Sequence, residues 1–481
     1  MNRDRIAKRI LKYIVPVKDN EIATMLLSAL YFFLLFTGYY PLRALRENMG
    51  VKAGIENLAW LWTGTLIAII VLNPIFSALV ARYPRRIFIA FVYRFFIINL
   101  LIFFVLFKVF PDGQSNIYIG RAFYMWLSVF NLFVVSVGWG FMADIFSSPQ
   151  GKRLFGFIAS GASLGGLIGS ALIILLVDHI DPYLFMIFAA ILLEAVVRTV
   201  KPLNRIATRT PQDTEHEKEQ SNNEGLSSLA SSDEPIHGSM WEGILRVSKS
   251  PYLIGIALLM VFWSASGTIM YLAQADIADN FADDSPRIKF FASVNFWVNV
   301  FSFFGQAWLA SRLIKLLGIG LTLAILPVVI IVGFTILGTS ITRLEPTTLI
   351  WVFIVIETIR KVANYSLAKP AREILYTVVP RAVKYKSKIF IDTFIVRSSD
   401  PINGWIIKVL GLSTAAVMFA VLPIAGVWFM LALALGAKQK VLAANVSESQ
   451  VPSCPSCGWN LRSLDQEQCP ECGAAVEVIK T

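Results

Sequence analysis

Apolar positions fill most of this chain in stretches of about twenty residues, separated by short polar or charged segments. The stretches fall at 22–41, 58–80, 87–107, 117–141, 154–177 and 183–200, and again at 252–273, 290–310, 318–338, 348–366, 389–410 and 414–436. Each is near the ~20 residues of helix that cross a hydrocarbon layer. Inside a bilayer the backbone must satisfy its own hydrogen bonds, so runs of this kind predict transmembrane α-helices. The expected fold is an all-α polytopic membrane protein with twelve transmembrane helices in a 6+6 arrangement.

Polar composition returns at 201–250, where TPQDTEHEKEQSNNEGLSSLASSDEP reads as a disordered linker. Residues 1–20 hold six Lys/Arg and no long apolar core, which suits an interfacial segment rather than a cleaved signal. The resulting plan is an N-terminal segment (1–20), a first six-helix bundle (21–200), the linker (201–250), a second bundle (251–436), a polar tether (437–450) and a small Cys-rich module (451–481).

Of the 481 residues, 56% are hydrophobic and 16% charged, against about 45–50% and about 25% in soluble domains. A disordered chain is excluded, and a water-soluble multi-domain enzyme is nearly excluded. With the amino terminus inside, most Lys and Arg residues fall on inner loops and tails. The outer loops keep Arg43, Arg46, Lys52, Arg287, Lys289 and Arg343. Both termini are therefore expected in the cytoplasm, with the chain in an inner (cytoplasmic) membrane. The histidines, His179, His216 and His237, all lie in loops, and no nucleophile–base constellation accompanies them, so no enzyme is expected.

An ionisable side chain within a span costs roughly 2.5–3.5 kcal/mol, so each should face a wet cavity or a partner. Glu357, Arg360, Lys361 and Asn364 stand at i, i+3, i+4 and i+7, on one helix face. That stripe reads as a cavity wall or as an internal ion pair that locks the helix. Arg397 and Lys408 nearly superpose in projection, with Asp392 and Asp400 on neighbouring arcs and Asp400 placed to pair with Arg397. Arg94 is an isolated cation, satisfied either by an anion or by an interhelical bond to a carbonyl. Lys108 and Arg121, near span ends, read as snorkelling. Asn295, Asn299, Ser302 and Gln306 share a face and would bind a base or sugar, or knit helices. Gly161, Gly165 and Gly169 form a close-packing seam. After the first span, PLRALRENMG places Arg43, Arg46 and Glu47 as a charged rim at the outer mouth of a cavity. The net sign is cationic, which favours phosphate or carboxylate guests.

At the carboxyl end, Cys454, Cys457, Cys469 and Cys472 form two Cys-x-x-Cys knuckles eleven residues apart, each followed by a glycine. Four thiolates at this spacing make a closed tetrahedral Zn site, a structural zinc ribbon whose folding energy comes from the metal. Rubredoxin-like iron is the lesser alternative. With Arg462 and Lys480 set against Asp465, Glu467, Glu471 and Glu477, no nucleic-acid binding is expected, and the ribbon suits a protein partner.

Three segments resemble the ATP/ADP antiporter family, the nucleotide transporters of plastids and intracellular bacteria. They are FFLLFTGYYPLRALRENMG, WGFMADIFSSPQGKRLFGFIASGASLGGLIGS and NYSLAKPAREILYTVVPRAVKYKSKIFIDTFIVR. The resemblance spans about residues 20–436 and implies a major facilitator fold whose halves close around a midplane site. It implies nucleotide exchange, with Arg43, Arg46, Arg94, Asn299, Glu357, Arg360, Lys361, Asn364, Arg397 and Asp400 as substrate-binding candidates. Gating or structural roles are expected for Glu47, Asp144, Arg153, Arg372, Glu373 and Asp392, and further matches are Lys152, Phe155, Tyr365, Ser366, Leu367, Pro370, Lys386, Lys388 and Ile391. The chain departs from the family pattern at Ala368 and Asp400, where relatives carry Asp and Lys. The expected function is secondary transport of an anionic metabolite, nucleotide foremost. Alternatives are another phosphorylated or carboxylated solute, or a receptor or scaffold that signals through the ribbon.

Overall fold

The computed structural model describes residues 17–82, 85–207, 247–305, 310–380, 383–384, 387–388 and 390–449. Residues 1–16 of the expected interfacial segment, the linker core, Lys386, Gln306 and the whole expected zinc ribbon, with its four cysteines, lie outside the described residues.

Among the described residues, six long helices precede the linker: α1 (Ile22–Lys52), α2 (Leu58–Arg82), α3 (Arg85–Val109), α4 (Gly113–Ile145), α5 (Ser148–Leu176) and α6 (Leu184–Ala207). Six follow it. They are α7 (Pro251–Asp279), α8 (Asp284–Phe304), α9 (Ala310–Ser340), α10, α11 and α12 (Thr414–Ser449). α10 runs as α-helix Pro346–Val362, passes through a π-helical stretch Ala363–Ala368 and ends as α-helix Lys369–Leu375. α11 opens with π-helical Phe390–Ile395 and continues as Val396–Leu410. Eight of these helices are long and apolar enough to cross a membrane by length and composition. The other four, α6, α8, α10 and α11, carry much of the chain's buried or paired polar chemistry, including Glu194, Asn299, Arg360 and Asp400.

Three expectations change. The segment PLRALRENMG is not a loop, because α1 continues through Pro41 to Lys52 and draws Arg43, Arg46 and Glu47 into the bundle. Pro41 has no N–H for the carbonyl of Thr37, and Gly169 of α5 lies against that oxygen. At the other end, α12 continues through the expected tether to Ser449. α9 reaches back to Ala310 and bends at Gly318, whose φ of 75° only a residue without Cβ adopts at low cost.

The glycine seam on α5 works as expected. A Cβ at Gly161, Gly165 or Gly169 would lie 2.3, 2.4 or 2.6 Å from the carbonyl oxygens of Ala29, Phe33 and Thr37, so α1 and α5 touch backbone to backbone over two turns. Gly320 and Gly436 bring α9 and α12 together in the same way. Around α1, Tyr31, Phe32, Tyr93 and Phe130 form an aromatic core, where the Tyr31 hydroxyl meets that of Tyr93 and Tyr93 donates to the Val134 carbonyl at 3.0 Å. Between the halves, α5 packs on α8, α2 on α11, and α1 on α7 and α8. Outward faces are lined by exposed Ile67, Phe91, Phe95, Ile98 and Val427, as a lipid-facing surface requires.

One bundle face carries the ends toward the termini and linker; it is called here the terminal face. On the opposite face, polar ties join the halves. Lys52 bonds Asp284 at 2.8 Å, Lys289 contacts Asp178, Arg287 reaches Asn48 at 3.4 Å and Lys408 donates to the Glu56 carbonyl at 2.9 Å. The terminal-face contacts of Glu21 and Glu373 are made within each half. Arg153 and Gln150 hold Glu21, and Arg372 and Lys388 hold Glu373 at 3.0 and 2.5 Å. Burial works against the charge of Glu21, but hydrogen bonds from the Lys18 amide, Arg153 and Gln150 outweigh it and hold the carboxyl below its usual 4.5.

Candidate functional site

A cavity of about 460 Å³ lies between the halves, within the range of small-molecule sites. It is walled by α1, α2, α4, α7, α10 and α11 and reaches toward the terminal face at Asp392. Two smaller spaces of about 180 and 120 Å³ adjoin it, sharing Arg43 and Lys361 with it.

The floor is a chain of hydrogen bonds drawn from both halves. Tyr271 of α7 donates to Glu47 of α1. Its oxygen then accepts from Tyr124 of α4 at 2.9 Å, and Tyr124 accepts from Trp62 of α2 at 3.0 Å. Below it, Trp405 donates to Thr63 at 3.0 Å.

Charge is concentrated on α1 and α10. Glu47 contacts Arg46 and lies 3.8 Å from Arg43. Glu357 receives two bonds from Arg360, at 2.6 and 2.8 Å, and one contact from Lys361 at 3.1 Å. Arg43, Arg46, Arg360 and Lys361 thus share two carboxylates, and the cluster keeps a positive surplus in a largely enclosed space. Both alternatives for the α10 stripe hold at once: the ion pair forms, and Arg360, Lys361 and Asn364 line the cavity. The π-helical turn at Ala363–Ala368 directs Asn364 there, a common use of such bulges.

Several donors toward this space have no protein partner. Arg46 offers an unbonded Nε, while its other nitrogens meet Ser128 and Glu47 and its plane lies 5.0 Å from the Tyr124 ring. Arg397 lines the main cavity with no ion pair to a described residue. In the side space, Ser302 Oγ is unbonded, and Asn299 accepts from Tyr40 at 3.1 Å and donates to the Asn295 carbonyl at 2.8 Å. The buried donors among these, Arg46 Nε and Ser302 Oγ, call for a polar ligand or water.

The predicted pairing of Asp400 with Arg397 does not form. Asp400 instead accepts from Thr268 at 2.8 Å and Ser264 at 3.5 Å. Asp392 is drawn to Arg372 at 3.1 Å, within the second half. Arg94 is not in this cluster. It is 58% exposed on the outer surface, bonded to Glu194 of α6 at 3.1 and 3.3 Å, because α3 turns this face away from the other half. Asp144 ends α4 exposed, and Arg153 closes the Glu21 contact at 2.8 Å. Lys108 contacts Asp181 and Arg121 donates to the Ala53 carbonyl at 3.0 Å, so both are tied to protein rather than snorkelling free.

Sequence reasoning passed over Tyr40, Trp62, Ser264, Thr268 and Tyr271, and the wall of α4 formed by Tyr124, Ser128 and Asn131. A signal was present: 264, 268, 271 and 124, 128, 131 each follow i, i+4, i+7.

A twelve-helix membrane bundle with a polar cavity between its halves, tied shut on one side, has the architecture of a secondary transporter. The Major Facilitator Superfamily profile matches residues 22–366, and the chain belongs to that superfamily, one of transporters and not of enzymes. A search of curated proteins returns no significant sequence match. Among solved structures, a bacterial homologue of the iron transporter ferroportin in its inward-facing state aligns with a TM-score of 0.58 at 11% identity, over 89% of this chain and 99% of that one. The inward-open xylose transporter XylE from E. coli aligns with a TM-score of 0.57 at 12% identity, over 87% and 95%. The nucleoside transporter NupG gives 0.55 at 10% identity, over 87% and 99%. At these identities the likeness concerns the fold.

Proposed function

We propose that this protein carries an anionic metabolite, a nucleotide foremost, across a bacterial-type inner membrane by alternating access, exchanging one anion for another. The observation that carries the reading is the positive surplus of Arg43, Arg46, Arg360 and Lys361 over Glu47 and Glu357, with Arg397, which makes no ion pair to a described residue, lining the same cavity. Guanidinium forks suit phosphate oxygens. The adjoining space lined by Tyr40, Asn299, Ser302 and Tyr365 offers ring faces and amides to a base or sugar. The resemblance to ATP/ADP antiporters points the same way. With both termini cytoplasmic, closure of the opposite face makes this the inward-facing state.

The ribbon is read as a Zn site of Cys454, Cys457, Cys469 and Cys472 that docks a protein partner. Deleting 447–481 should then impair assembly or transport. Arg397→Ala tests the main reading best, because Arg397 supports no ion pair with a described residue. Liposome counterflow of ADP should collapse while the melting temperature stays put; unaltered counterflow would refute the role. If the wild-type protein shows no ADP shift or counterflow, but a sugar phosphate or dicarboxylate is active, the substrate belongs to that other anion class.

A further inference from the structure

Four carboxylates lie in or around the cavity among the described residues, and three are held by cations: Glu47 by Arg46, Glu357 by Arg360, and Asp392 by Arg372. Asp400 differs. Its Oδ1 is held by the hydroxyls of Thr268 and Ser264, one turn apart on α7. A guanidinium or ammonium can only donate, so it serves a carboxylate and leaves a protonated carboxyl poorly matched. A hydroxyl donates to the charged form and accepts from the neutral one. The cradle around Asp400 therefore fits both protonation states, whereas Glu357 and Asp392 are met by cations alone, and Glu47, although Tyr271 donates to it, is also held by Arg46.

The surroundings supply a reason for the proton to move. Arg397, one turn back on α11, and Arg46 of α1 line the same cavity as Asp400, together with Arg43, Arg360, Lys361 and Asp392. The wall of α7 adds the phenol Tyr271, and α2 brings no titratable residue between Leu58 and Ala81. Lys408, further along α11, is turned to the Glu56 carbonyl. The positive field of Arg397 and Arg46 attracts a carboxylate and opposes a proton arriving on it. An anion seated on those cations cancels their field, and the carboxylate can then take a proton from cavity water. By linkage the effect is reciprocal: a protonated Asp400 binds the anion in a less repulsive setting.

We propose that Asp400, cradled by Thr268 and Ser264, is a proton-carrying site that couples proton movement to anion loading. The proposal deepens the anion-transport reading and rests on it for the identity of the load.

One arm of the test needs no ligand. Infrared spectra of the full-length protein in liposomes, at a fixed mildly acidic pH, would be compared for wild type, Arg397→Gln and the Arg397→Gln/Asp400→Asn double variant. Removing the neighbouring cation should increase the protonated-carboxyl band, with roughly tenfold more of that form where ionisation still dominates. The double variant should lose the gain. Equal bands in wild type and Arg397→Gln, or a gain that survives in the double variant, overturn the proposal. The second arm keeps Arg397 intact and uses inorganic pyrophosphate in weak buffer with a pH dye. Wild type should take up about one proton per bound pyrophosphate, and Asp400→Asn none; equal uptake in both overturns the proposal. A positive first arm with no pyrophosphate binding would support the proton site and count against the polyphosphate reading instead.

Discussion

Replacing Glu357 with Gln removes the one carboxylate that serves both Arg360 and Lys361. Glu357 is 3% exposed and meets Arg360 at 2.6 and 2.8 Å and Lys361 at 3.1 Å. At about 3 Å and an effective dielectric of about 20, each unit-charge attraction is worth about 5 kcal/mol before desolvation is subtracted. After that subtraction, removing one partner of a buried pair costs about 3–5 kcal/mol, because the remaining charge stays buried and uncompensated. At about 2–4 °C per kcal/mol for a unit of about 150–250 residues, the melting temperature of the purified protein in low salt should fall by roughly 6–20 °C. Pyrophosphate supplies the missing negative charge, so it should stabilise Glu357→Gln more than it stabilises wild type. A variant that melts like wild type, or that gains no more than wild type from pyrophosphate, would refute the view of this cluster as a charge-matched anion seat.

The α1–α5 seam makes Gly165→Ala costly: the new Cβ would sit 2.4 Å from the Phe33 oxygen, and overpacking of about 1–3 kcal/mol should appear as a lower melting temperature. At the terminal face, the Glu21 carboxyl is held below 4.5 in the folded protein, so its contacts with Arg153 and Gln150 stabilise above that pH and are lost as the pH falls further. Glu21→Gln should therefore flatten the acid side of a stability-against-pH profile, and an unchanged slope would count against it. A Lys52→Cys/Asp284→Cys pair replaces the 2.8 Å bridge across the opposite face. Its cross-linking should halt counterflow by holding that face closed, and cross-linked protein that still exchanges would show the two faces are not alternately gated.

The number and order of the twelve helices were legible in the sequence, and eight of them are apolar enough to cross a membrane, because about twenty apolar residues in lipid leave the backbone no other way to satisfy itself. The glycine seam was legible too, since a four-residue spacing of residues without side chains has one use between helices. So was the face shared by Glu357, Arg360, Lys361 and Asn364, which helical periodicity alone dictates. Which polar faces meet was not. Arg43 and Arg94 look alike in sequence, each a cation among apolar residues within three positions of a tyrosine. One lines the cavity, and the other pairs on the outer surface with Glu194, a hundred residues away along the chain. Asp400 stands one turn from Arg397 yet is bound by Thr268 of another helix. Periodicity fixes a residue's angle around its own helix, but the rotation of that helix against its neighbours is set by packing over the whole bundle. That rotation decides whether a charge meets lipid, a partner or the cavity.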